Sequence, residues 1–274
     1  MHIMKLQVFK LNNSFHITKE HSNFYNKNGF IVFRNAFSKK EMRELDQSIS
    51  SFSDKGWHNI MNPDRAEFLI GQSIEKISKI KNFNARINFI EKAINTASFY
   101  RSYLVSKRVK RILEKLIKKK FVGLMTQVIF KHANTKFAKL GWVPHQDNSY
   151  AKMKNHSYVT TNLFIHKATK KNGCLYLFPE THKKGLVNFK KYYSYHAKIG
   201  QKPGNRVDMM LTDKNKVDLE VQAGDYLIMN GNLVHGSYVN KSKKNSRHLL
   251  SFNYGVKGEY FFPGKTAKRK AINF

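Results

Sequence analysis

Val221-Gln222-Ala223-Gly224-Asp225-Tyr226-Leu227-Ile228-Met229-Asn230-Gly231-Asn232-Leu233-Val234-His235-Gly236-Ser237 is the stretch whose reading decides the fold. Ala-Gly-Asp is a turn that leads into the apolar run Tyr226 to Met229. Asn230-Gly231-Asn232 is a second turn, and the strand that starts behind it presents His235. The same texture extends upstream and downstream. From Phe121 onward, short apolar runs alternate with Gly, Asn and Lys turns: Phe121 to Phe130, Tyr158 to Ile165, Cys174 to Phe178, Val217 to Val221, Tyr226 to Met229 and His248 to Tyr254. Several strands of this length at close intervals predict an antiparallel barrel or sandwich. Gly200 to Lys216 is a polar interruption, expected as a loop over the site.

Before Phe121 the signals are mainly helical. Thr18 to Asn28 reads as a short helix with Thr18 as N-cap and Gly29 as the stop, and Phe30 to Phe33 follows as a strand. Ser38-Lys39-Lys40-Glu41 has the form of a capping box, opening a helix through Met42, Leu45 and Ile49. Asn62-Pro63-Asp64 marks a turn. Ile87 to Leu104 and Lys107 to Lys119 are further helices. In the second, Val109, Ile112, Leu113 and Leu116 repeat at helical spacing. A chain of 274 residues suits one domain. The expectation is a single domain over 1–274, helical to about residue 120, with a β-core over about 121–260.

Composition narrows the class. Hydrophobic residues make up 41% and aromatics 13%, which excludes a disordered chain. The 50 Lys+Arg outweigh 18 Asp+Glu, giving +32. Such charge attracts nucleic acid, anionic membranes or anionic substrates. The lysines are scattered singly or in short runs such as Lys118 to Lys120, however, so a solvated surface is the expectation and nucleic acid is not. The one cysteine, Cys174, excludes an intramolecular disulfide and a cysteine-based zinc cluster, and its apolar neighbours predict burial. With no signal-like segment and no apolar run of the ~20 residues a membrane span needs, a cytoplasmic protein is expected. No oligomeric state follows.

Three features carry chemistry. In Trp142-Val143-Pro144-His145-Gln146-Asp147, strand alternation turns His145 and Asp147 to one face and Gln146 to the other. An imidazole and a carboxylate so spaced can take adjacent positions on one metal, although a His-x-Asp triplet taken alone reads first as a surface turn. His235 can supply a third ligand. Two His and one carboxylate leave one side of an octahedral Fe(II) open for a bidentate cosubstrate and O₂. Arg247 begins a strand in which Leu249, Ser251 and Asn253 share its face. If it turns inward it needs an anionic partner, which a carboxylate meets in a bidentate pair; otherwise it is a surface arginine beside Lys241, Lys243 and Lys244.

Taken in order, His145-Gln146-Asp147, Asn172-Gly173-Cys174-Leu175-Tyr176-Leu177-Phe178-Pro179-Glu180-Thr181-His182, Ala223-Gly224-Asp225, His235-Gly236-Ser237 and Arg247 resemble the phytanoyl-CoA dioxygenase family of Fe(II)/2-oxoglutarate oxygenases. The resemblance runs from about Phe121 to Tyr254, with weaker support at Gly29-Phe30-Ile31-Val32. Where the family often has Gly-Ser-His after the proline, this chain has Glu180-Thr181-His182.

The resemblance implies a mainly β protein with flanking helices around a double-stranded β-helix (jelly-roll, cupin-like) core. It implies His145, Asp147 and His235 as iron ligands, and Arg247 as the anchor of the far carboxylate of 2-oxoglutarate, with Ser237 hydrogen-bonded to the same group. Gln127 and Asn162 become cosubstrate contacts or structural hydrogen bonds. Trp142 and Tyr150 stand at the substrate entrance or, as the expectation for both, in aromatic packing. Related halogenases replace the carboxylate ligand with a small residue, so Asp147 favours hydroxylation. His182 is expected in a structural turn, and His132, His156, His166 and His248 as surface or packing residues.

The function this implies is a dioxygenase that hydroxylates a small metabolite or natural-product intermediate with release of succinate and CO₂. The alternatives are an oxygenase acting on an acyl-CoA or another phosphorylated anionic substrate, and a non-enzymatic nucleic-acid-binding protein. A cluster of Lys/Arg at the pocket would favour the phosphorylated substrate; steeply salt-sensitive nucleic-acid binding without 2-oxoglutarate turnover would favour the last.

Overall fold

The structure is a computed structural model and describes residues 5–12, 14–53, 59–61, 102–131, 133–134, 141–154, 156–192, 204–259 and 271–274. The turn at Asn62-Pro63-Asp64, most of the helix expected from Ile87, His132, and positions 200–203 lie outside the described residues.

Local sequence sets the first elements. β1 (Phe9–Lys10) is followed by α1 (Lys19–Asn28), whose N-cap Thr18 accepts a hydrogen bond from the His21 N–H at 3.3 Å. Gly29 ends it in the left-handed conformation, φ 80°. β2 (Phe30–Arg34) leads to α2 (Lys39–Ser53), opened by the reciprocal bonds of Ser38 and Glu41 at 2.7 and 3.2 Å. After β3 (Asn59–Met61), α3 (Lys107–Ile117) buries Val109, Ile112, Leu113 and Leu116, the stripe seen in the sequence. Among the described residues no helix is long and apolar enough to cross a membrane.

The core follows as β4 (Phe121–Lys131), β5 (Trp142–His145), β6 (Tyr158–Phe164), β7 (Leu175–Phe178), β8 (Phe189–Tyr192), β9 (Gly204–Val207), β10 (Val217–Asp218), β11 (Tyr226–Asn230), β12 (Val234–Ser237) and β13 (Arg247–Val256). One sheet has the order β1-β2-β11-β6-β13-β4-β3 and the other β10-β7-β12-β5. β4 to β7 and β10 to β13 alternate between these two sheets, with the β8–β9 hairpin a separate two-stranded sheet between them in sequence, and the core pairs are antiparallel. That winding is a double-stranded β-helix.

β2, the strand expected over Phe30 to Phe33, extends the larger sheet by pairing with β11, and β3, for which the sequence carries no strand signal, extends it by pairing with β4. The expected loop at Gly200 to Lys216 also needs correction. It contains β9, which pairs with β8 in a hairpin whose near strand the sequence did not reveal.

Alternation sorts the side chains of the larger sheet. Ile31, Phe33, Ile228, Leu250, Phe252 and Tyr254 face outward and pack with the helices. Phe30, Val32, Leu227, Met229 and Leu249 face inward, against Cys174, Leu175 and Leu177 of the smaller-sheet side. Both faces are covered, so β11 reads as a continuous apolar run from Tyr226 to Met229, whereas β13 places Ser251 and Asn253 among its apolar residues.

The turn that opens β11 is fixed by Gly224 and Asp225. Gly224 has φ 86°, and a Cβ there would collide with the Phe37 carbonyl. The fully buried Asp225 carboxylate accepts from Arg34 Nη1 at 2.6 Å and from the backbone N–H groups of Asn35 at 3.0 Å and Gln222 at 2.8 Å. Asp225→Ala strands all three donors and should cost about 3–5 kcal/mol of stability, seen as a lower urea midpoint. An unchanged midpoint would show that this carboxylate does not hold β2 to β11.

Candidate active site

β5 and β12 are neighbours in the smaller sheet, and His145 lies directly across from His235. The strand expected to carry both His145 and Asp147 stops at His145. Asp147 instead opens a 3-10 turn, Asp147–Tyr150, but Gln146 between them keeps an extended backbone, φ −112° and ψ 129°. The alternation therefore holds for one further residue, and Asp147 returns to the face of His145.

Gln146 is buried on the opposite side and fully bonded. Its amide donates to the carbonyls of Gly185 at 2.8 Å and Asn232 at 2.6 Å, and its oxygen accepts from the Val187 N–H at 2.9 Å. Gln146→Leu should therefore cost about 2–4 kcal/mol through the buried groups it strands. It should also weaken metal binding roughly 10–100-fold by loosening the ligand turn. Chemical denaturation and metal titration would check the two effects.

The three ligating groups converge. His145 Nε2 lies 3.4 Å from Asp147 Oδ1, and His235 Nε2 lies 3.6 Å from the same oxygen. Each imidazole directs Nδ1 at a carbonyl two residues earlier: His145 to Val143 at 2.7 Å and His235 to Leu233 at 3.1 Å. With the proton on Nδ1, each Nε2 lone pair is free and aimed at the shared point. Burial pushes His235 down to about 4, which keeps it neutral. Burial raises Asp147, but His235 and His145 outweigh it and hold the carboxyl well below the usual carboxylate range. Two imidazoles and an ionised carboxylate in this arrangement fit a divalent iron ion.

The cluster opens on a cavity of about 340 Å³. Arg247, Gln127, Asn162 and Ser237 all line it, as do Leu249, Ser251 and Asn253 from the inward face of β13. Arg247 is only 1% exposed, which rules out the surface arginine. Its Nε donates to the Gly173 carbonyl at 3.0 Å, while Nη1 is buried with no hydrogen-bond partner among the described residues. Burial pushes this guanidinium down to about 10. A carboxylate in the cavity would satisfy both the orphaned donor and the charge.

Ser237 Oγ accepts from Lys131 Nζ at 2.8 Å and from the Trp142 N–H at 3.3 Å, so its hydroxyl hydrogen can still be donated. Lys131 was not singled out in the sequence. It is fully buried opposite Arg247 on β4, and its ammonium also reaches the Tyr238 carbonyl. One lysine among 50 basic residues carried no signal; only the register of β4 against β13 identifies it.

Trp142 and Tyr150 line the cavity, contrary to the expected aromatic packing. Tyr150 is 37% exposed, and its hydroxyl accepts from the β9 residue Asn205, whose side chain also bonds Ser149. His182 lies in a buried structural turn, as expected, with Nε2 bonded to the Asn26 carbonyl at 3.1 Å. His156 is exposed, and its Nδ1 lies 3.0 Å from the Asn230 amide nitrogen.

Comparisons with known proteins agree with this geometry. The chain is 26% identical over 263 residues to phytanoyl-CoA dioxygenase 1 of Oryza sativa subsp. japonica, covering 86% of this chain and 88% of that protein. It is 27% identical over 265 residues to phytanoyl-CoA dioxygenase of Arabidopsis thaliana, with the same coverage. Its fold matches the epimerase SnoN in complex with Fe³⁺, α-ketoglutarate and nogalamycin RO at a TM-score of 0.60 and 13% identity, covering 93% of this chain and 94% of that one. The profile of the phytanoyl-CoA dioxygenase (PhyH) family matches residues 25–249. The chain belongs to the phytanoyl-CoA dioxygenase family and is an oxidoreductase of the iron- and 2-oxoglutarate-dependent oxygenase class.

Proposed function

We propose that His145, Asp147 and His235 hold Fe(II), that Arg247 anchors 2-oxoglutarate, and that the enzyme hydroxylates a small metabolite or natural-product intermediate. The observation that carries this reading is the shared cavity: the three ligands and the under-bonded guanidinium face one space of about 340 Å³. The bound ion would supply the redox chemistry that couples O₂ reduction to oxidation of the cosubstrate and substrate, with one oxygen atom entering succinate and the other the product.

The chain's own residues position and exclude. Arg247 and the hydroxyl of Ser237 bind the far carboxylate, and the buried Lys131 ammonium adds positive potential behind them. Gln127 and Asn162 sit opposite Ser251 on its two flanking strands, where their amides can orient the cosubstrate. Met125, Tyr158 and Met229 supply apolar wall, and Trp142 and Tyr150 cover the side nearest the ligands. Among the described residues no lysine lines the cavity and Arg247 is its one cation. That favours a small substrate over a phosphorylated one.

The test is a metabolite screen against the anaerobic Fe(II)/2-oxoglutarate complex, read by succinate release once oxygen is admitted. A small metabolite that raises succinate release and gains one oxygen atom supports the proposal. Stimulation confined to acyl-CoA or other phosphorylated compounds would overturn the substrate class.

A further inference from the structure

His166 and His248, expected as surface or packing residues, do pack on one another, His248 buried and His166 partly exposed. With Asp46 they form a second group of two imidazoles and one carboxylate, whose ligating atoms all lie within 4.8 Å of one another. Asp46 stands on α2, His166 follows β6, and His248 is the second residue of β13. Alternation turns His248 away from Arg247, and none of the three lines the cavity described above.

The group is built rather than incidental. The His248 carbonyl accepts the backbone N–H of Ile165 at 3.2 Å and of His166 at 3.3 Å. The two rings are thereby held side by side, with centroids 4.4 Å apart at 32°. Met42 and Leu45 bury α2 in the core and bring Asp46 over the pair. Asp46 Oδ1 lies 2.8 Å from His166 Nε2 and 3.6 Å from His248 Nδ1. Side-chain exposure rises from 4% at His248 through 26% at His166 to 46% at Asp46. The cluster thus has a buried floor and a side open to water. Burial pushes the Asp46 carboxyl up, but hydrogen bonds from His166 and His248 outweigh it and hold it below the usual range, so it is ionised.

We infer that Asp46, His166 and His248 form a second metal site on the outer face of the barrel, suited to a borderline divalent ion such as Zn²⁺. Two imidazole nitrogens and one carboxylate oxygen are the donors of a zinc site with a water in its fourth position. Mg²⁺ and Ca²⁺ prefer all-oxygen sets. Zinc–ligand bonds of about 2.0–2.1 Å put tetrahedral ligand atoms roughly 3.3–3.5 Å apart. His248 is already near that separation, and the half-exposed Asp46 can open its shorter contact to His166. An ion here ties α2 to the exit of β6 and to the start of β13, one residue from Arg247. The competing arrangement is a hydrogen-bonded pin with the same partners and no ion.

Equilibrium dialysis of metal-stripped full-length protein against Zn²⁺, with bound metal counted by plasma mass spectrometry, separates the two. Wild type should hold two equivalents. Asp46→Asn with His166→Asn should hold one, His145→Ala with His235→Ala the other one, and the fourfold variant none. Zinc should raise the melting temperature of His145→Ala/His235→Ala and leave that of the fourfold variant unchanged. If Asp46→Asn/His166→Asn is poorly folded, His166→Gln alone should weaken the second equivalent at least tenfold while keeping the fold. Two equivalents retained without Asp46 and His166 would identify adventitious zinc at other histidines and overturn the site. A single wild-type equivalent that disappears with His145 and His235 would also overturn it, leaving the pin.

Discussion

Changing His145 or Asp147 to alanine is expected to lower substrate-linked succinate formation by roughly 10³-fold or more. A metal centre supplies several kcal/mol of stabilisation, and each 1.36 kcal/mol is tenfold in rate. On the proposed ligand assignment neither residue is dispensable. Asp147 Oδ1 is the point both imidazoles face, at 3.4 and 3.6 Å. Removing it leaves two imidazole donors and no carboxylate charge to match a divalent ion. Removing His145 leaves His235 and Asp147 without their partner on the adjacent strand. The readouts are succinate release and Fe(II) affinity, with a melting curve of the metal-free protein as the control for folding. Wild-type turnover in either variant would show that the ligand assignment is wrong.

Arg247→Met should produce two changes of opposite sign. The variant loses the charge partner of the far carboxylate, which should weaken 2-oxoglutarate binding by about 2–4 kcal/mol, a rise in KM of roughly 30- to 1000-fold. In the absence of cosubstrate, however, it should be as stable as wild type or more so. The wild-type guanidinium is buried with Nη1 unpartnered, and replacing an uncompensated buried charge with an apolar chain of similar length relieves desolvation. Saturating 2-oxoglutarate, at about 100 times Kd, should raise wild-type stability by about 2.7 kcal/mol. That corresponds to about 5 °C in Tm for a chain of this size, and the variant should barely respond. A variant that binds 2-oxoglutarate normally would remove Arg247 from the cosubstrate site.

The sequence exposed what depends on short-range pattern. Thr18, Ser38 and Gly29 announced helix ends because caps are local hydrogen bonds, and α3 showed its buried stripe because one face of a helix repeats at 3.6 residues. His145, Asp147, His235 and Arg247 could be singled out because each sits beside a turn or strand start that fixes its direction. Other features depend on register between distant strands. Lys131 acquires its position only when β4 aligns with β13. Asp46, His166 and His248 come from three elements with nothing between them in sequence to connect them. Tyr150 reads as a packing aromatic until β9 is seen to fold over it, and Gly200 to Lys216 is too polar to reveal a strand. Strand alternation accounts only in part for Asp147 sharing the face of His145, since it survives past the end of β5 only through the extended backbone of Gln146.

The strand order has a consequence for biosynthesis. Among the described residues β5 is the edge of its sheet and pairs there only with β12. The two histidines that meet across that pair are separated by about 90 residues, which a ribosome adds in roughly 5–20 s. For that interval the first half of the site has emerged without the neighbour that completes it. On the proposed ligand assignment, capture of iron is therefore a late event in the life of the nascent chain, and a truncation anywhere before His235 leaves no centre.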